Sequence, residues 1–131
     1  MKVARWFILI GSLLLLFGAI LHLYGYTFIM PRITATNAGP EIVNVFKALW
    51  WSLSIPGIVL CPVIIWASRL PNGRGLVLLC TVIPAATGIL LFYFLGWFIG
   101  SIIFSIATLL LLAGGIMLPT GAGLQSGSGS S

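Results

Sequence analysis

Between Gly75 and Pro119 the chain runs 45 residues without one charged side chain. No other stretch constrains the fold as strongly. A soluble domain needs roughly a quarter of its residues charged, whereas these 131 residues include six Lys or Arg and one acid. The medium that suits such a surface is lipid. A hydrocarbon core about 30 Å thick takes about 20 apolar residues per helix, so the uncharged stretch holds two spans and a turn. The turn falls at 95–101, where Gly96, Trp97 and Gly100 combine chain breakers with an interfacial aromatic.

Extending the same rule to the whole chain gives four spans, at about 6–30, 46–68, 75–95 and 99–118, with an outer loop at 31–45. In lipid every backbone polar group must be satisfied within its own segment, so the spans are helices. The expected fold class is all-α: a polytopic integral membrane protein, one four-helix transmembrane bundle with its helices in sequential antiparallel contact. The first run, Trp6 to Met30, is 25 residues long. That exceeds a secretory signal's apolar region, and Tyr24, Tyr26 and Phe28 replace the small residues of a cleavage site. Pro40 and Glu41 suit the first turn of the next helix. Pro56 and Pro62 should kink that helix and free carbonyls near residues 52 and 58. Residues 121–131 are glycine and serine with one glutamine, which reads as a flexible tail.

Orientation follows from the cations. Lys2, Arg5, Arg69 and Arg74 fall on one side against Arg32 and Lys47 on the other, so the positive-inside rule places both termini in the cytoplasm, N-in/C-in. The layout resembles that of small four-span proteins of the bacterial inner membrane, which implies that location. The net charge of +5 is scattered singly at the ends of apolar runs, unlike the basic footprint of a nucleic-acid binder.

The polar residues inside the spans are few enough to weigh singly. His22, the only histidine, shares a helical stripe with Gly11, Gly18 and Gly25, the face on which the second helix is expected to pack. Counted from Met30 at about 1.5 Å per residue, His22 lies about 12 Å inside its span. An ionisable group at that depth marks a functional site or interhelical hydrogen bonding. The outer half of the second span carries Glu41, Asn44, Lys47, Trp51 and Ser54 at spacings of three and four, read as one polar stripe facing His22 across an outward vestibule. Ser101, Ser105 and Thr108 give the fourth span a small-residue packing face.

Catalytic chemistry finds little to work with. A serine–histidine triad needs an acid to orient the histidine, and the only acid, Glu41, belongs near the aqueous boundary. Metal sites need three or four ligands; haem needs a second axial ligand at matching depth. Cys61 and Cys80 lack the CxxC spacing of a redox pair and read as small core residues. No metal, no cofactor and no enzymatic activity are expected. The expected function is that of a non-catalytic membrane protein that binds, within its bundle, a partner membrane protein or an apolar, lipid-like ligand. The alternative is a homo-oligomeric transporter or channel with a polar path through His22 and the Glu41, Asn44 and Lys47 stripe, and with pH-dependent flux.

Overall fold

The structure is a computed structural model that describes residues 2–36 and 38–120; the glycine–serine tail at 121–131 lies outside the described residues. It is all-helical, with α1 at Lys2–Thr34, α2 at Pro40–Ala67, α3 at Arg74–Leu95 and α4 at Ile99–Met117. All four helices are long and apolar enough to cross a bilayer.

Helix ends follow local chemistry. Pro31 does not stop α1, because losing its N–H releases only the Thr27 carbonyl. Its own carbonyl still accepts from the Ala35 N–H (3.1 Å) and the Thr34 hydroxyl (3.0 Å). With α2 beginning at Pro40, the connection shrinks from the expected 31–45 to residues 35–39. Pro56 and Pro62 are both carried inside the single helix α2. At the other hairpin Gly96 ends α3 with φ of 68°, a conformation that glycine adopts without steric cost. Ser101 then closes α4: its Oγ accepts the Phe98 N–H at 3.2 Å and lies 2.9 Å from the Gly96 carbonyl oxygen.

Packing departs from sequential contact. The helices lie in the order α2, α1, α4, α3, all antiparallel to their neighbours, and α2–α3 is thinner than the α1–α4, α3–α4 and α1–α2 contacts. Glycines decide this order. A Cβ on Gly114 would lie 2.6 Å from Ile8 and 2.9 Å from the Ala4 carbonyl oxygen, so α4 sits directly on α1. A Cβ on Gly57 would lie 2.8 Å from Ala19, which brings α2 onto α1. Gly115 does the same for α3 and α4, where its Cβ would lie 2.8 Å from Leu78. Ile8, Leu15, Ile64, Val77 and Leu111 fill the buried centre.

The glycine stripe of α1 does not serve α2 alone. Gly11 and Gly18 face Leu111, Ile103 and Phe104 of α4, and only Gly25 faces α2, at Trp50. A straight α-helix drifts about 20° per heptad, so a seven-residue repeat cannot keep one neighbour. The register also fixes the levels: with Ile8 against Gly114 and Gly18 against Ile103, the start of α4 stands level with His22. Beyond that level α1 continues for about 18 Å at ~1.5 Å per residue. Gly25 and Ile29 still face the α3–α4 turn across a shared cavity, and the residues of α1 beyond them, with the start of α2, project past it as a helix pair.

Candidate functional site

His22 stands below this projection, where α1 bears on α2, and is tied to it by two polar contacts, with a third inside α2. Its Nδ1 lies 2.8 Å from the Ser54 hydroxyl, and that hydroxyl donates to the Trp50 carbonyl at 3.1 Å. The Trp50 indole N–H donates to the His22 carbonyl at 2.8 Å. A hydroxyl carries one proton. Where that proton goes to the Trp50 carbonyl, the Ser54 oxygen accepts from Nδ1–H, and in the neutral imidazole with that tautomer Nε2 is the free acceptor. The imidazole also stacks on the Trp50 ring, with centroids 4.2 Å apart and planes at 15°. Tyr26 and Phe46 extend the aromatic cluster around Trp50.

The sequence supports this geometry locally. Trp50, Ser54, Gly57, Cys61 and Ile64 recur at alternating spacings of four and three, and that seam is the face of α2 turned to α1. Ser54 is 0% exposed, yet both its contacts are satisfied within the pair of helices.

Next to the knot is a cavity of about 210 Å³ between α1, α2 and the start of α4. His22 and Trp50 line one side, and the remaining lining is apolar or glycine, including Leu21, Leu91, Ile103 and Phe104. Gly18, Gly25 and Gly100 keep it open by presenting no side chain. A larger groove of about 580 Å³ between α3 and α4 has only Ser105, Thr108 and the Tyr93 phenol as side-chain polar groups. The Ser105 hydroxyl is spent on the Ser101 carbonyl at 2.8 Å.

The other residues singled out from the sequence are dispersed. Of the supposed stripe only Ser54 reaches His22. Trp51 is 48% exposed and touches only the edge of the cluster, 6.1 Å from Tyr26. Glu41 and Asn44 are exposed and Lys47 half-buried, none of them bonded to the knot. The reason is helical phase. At 100° per residue, thirteen residues leave Glu41 about 140° around the helix from Ser54, so steps of three wind away from the face they begin on. Ser101 acts as a helix cap, Ser105 is exposed, and Thr108 is buried with its hydroxyl unpaired, as is Ser12 on α1. Trp50 is the residue that stripe reading misses; its spacing of four from Ser54 and seven from Gly57 was the available signal.

Cys61 and Cys80 are free and buried, and no group of three or more potential metal ligands occurs among the described residues. No protein-family model, no curated protein and no solved structure matches the chain.

Proposed function

We propose that the chain is a non-catalytic integral membrane protein that takes an apolar, lipid-like ligand into the cavity beside His22. Membrane residence is supported by the exterior. Phe17, Ile20, Ile89, Leu109 and Ile116 are all exposed, a continuous apolar surface that soluble monomers do not carry. Aromatic side chains gather at two levels, Trp6 and Trp66 near one end and Tyr24, Trp51, Tyr93 and Trp97 toward the other. From Trp6 to Tyr24 the helix rises about 27 Å, close to the ~30 Å hydrocarbon core that aromatic belts bracket. Lys2, Arg5, Arg69 and Arg74 lie beyond the first belt, which supports a cytoplasmic N-terminal end in a bacterial inner membrane.

On this placement His22 lies only about 3 Å below Tyr24, nearer the interface than the 12 Å counted from the length of the apolar run. The ligand enters at the level of the lipid headgroups, with the α1–α2 pair standing above it.

The single observation that carries the proposal is the cavity: apolar on most sides, with the His22 imidazole at its edge. Its 210 Å³ exceeds the ~150 Å³ that admits a benzene ring and falls below the ~300 Å³ typical of drug-sized pockets. It fits one ring or a short length of acyl chain. An imidazole beside an otherwise apolar cavity suits a ligand that carries one hydroxyl on an apolar body. Within the chain Glu41, Asn44 and Lys47 do not converge on His22, which favours the ligand reading over a polar path.

The test uses a variant in which Trp50 is the only tryptophan, titrated in mild detergent with a brominated long-chain alcohol. Saturable quenching of Trp50 fluorescence is expected. Gly25→Leu should abolish saturation, since its Cβ sits in ordinary contact, 3.4 Å from Trp50, and the rest of the side chain fills the space. Quenching that rises linearly and equally in both proteins overturns the proposal.

A further inference from the structure

At the opposite end of the bundle, a second cavity of about 320 Å³ is bounded by α1, the turn at 68–73, the start of α3 and the residues after α4. Arg5, Arg69 and Arg74 all line it. These three cations come from separate segments, and the chain's one acid, Glu41, stands in the first turn of α2 at the far end. Like charges on one rim repel, so the arrangement is stable when an anion sits among them.

Two backbone features point the same way. Gly73 precedes α3 without a side-chain cap, so the first N–H groups and the positive end of a 22-residue helix open at the cavity, an environment that favours anions. A Cβ on Gly73 would overlap the Ala67 carbonyl oxygen. Only glycine lets the turn close this tightly, and the tight turn brings Arg69 and Arg74 to a common rim. Leu70, Pro71, Leu118 and Pro119 add apolar surface beside the cations, and Ser68 also lines the cavity.

We propose that this cavity binds an anionic phosphate group. Guanidinium forks match phosphate oxygens in pairs, and a basic pocket between helices at the cytoplasmic face is the setting in which anionic headgroups are held. The apolar rim favours delivery of that phosphate by a lipid, whose first acyl carbons would lie on Leu70 and Leu118.

The experiment measures binding of phosphatidylglycerol, phosphatidylcholine and inorganic phosphate to the detergent-solubilised full chain. Phosphatidylglycerol should bind more tightly than phosphatidylcholine. Affinity should fall about fivefold in Arg5→Gln and about a hundredfold in Arg5→Gln/Arg69→Gln/Arg74→Gln, with Arg32→Gln unchanged. Arg5→Gln leaves three of the four cations at that end, so the single variant retains the charge asymmetry that orients the chain. Tight binding of the lipid alone assigns the phosphate to a headgroup; equal competition by inorganic phosphate assigns it to a soluble anion at the same site. Equal affinity for both lipids, or for wild type and triple variant, overturns the proposal. Gly25→Leu should leave this binding intact, which separates the two cavities.

Discussion

Ser54 makes the His22 knot possible. Its hydroxyl bridges the His22 Nδ1 and the Trp50 carbonyl, and it is itself wholly buried. Ser54→Ala should therefore cost about 1–3 kcal/mol, the penalty for leaving a buried donor unpaired, read as a lower midpoint of unfolding in mild detergent. Trp50→Phe keeps an aromatic face for stacking and loses one hydrogen bond, about 1 kcal/mol. If His22→Ala and His22→Ala/Ser54→Ala unfold at the same midpoint, the loss belongs to their contact; additive losses would show that they act separately. His22 as a conspicuous residue was legible in the sequence, and so was Ser54 as its neighbour at the same depth. Trp50 was legible only through its spacing from Ser54 and Gly57, because adjacent tryptophans on a helix differ by 100° in direction and the Trp-Trp pair by itself does not say which one turns inward.

Among elements, the four apolar runs between charged or breaker-rich connections were enough to give four helices, since length and hydropathy settle that question without neighbours. Which helix touches which was not legible. It depends on where backbones approach closest, and sixteen glycines offer more candidate contacts than the bundle uses. Gly114 is one that is used: its absent Cβ is the space occupied by Ile8 and the Ala4 carbonyl. Gly114→Val should push α1 and α4 apart and lower stability by about 1–3 kcal/mol, the usual cost of overpacking a tight site. Gly39→Ala, with open space around the glycine, should leave the unfolding midpoint unchanged. A Gly114→Val protein as stable as wild type would show that the α1–α4 seam tolerates widening. The polar stripe of α2 failed for a different reason: three-residue steps look periodic in a sequence and precess around a real helix.

For the whole molecule, the order α2, α1, α4, α3 places the two cavities at opposite ends and on different residues. The His22 cavity is lined by the outer parts of α1, α2 and α3 and the start of α4, whereas the arginine cavity is lined by the α2–α3 turn, the starts of α1 and α3 and the residues after α4. Substitutions at one should leave the other undisturbed, as expected for sites with no shared partners. The thin α2–α3 contact has a further consequence for assembly. Helices α1 and α2 form one hairpin, α3 and α4 another, and the only extensive contact between hairpins is the glycine seam of α1 with α4. The peptide link at 68–73 is then a tether and not a structural strut. Two separate chains divided at Asn72, co-expressed, should find each other and co-purify as a complementing pair, and Gly114→Val in the second chain should prevent it.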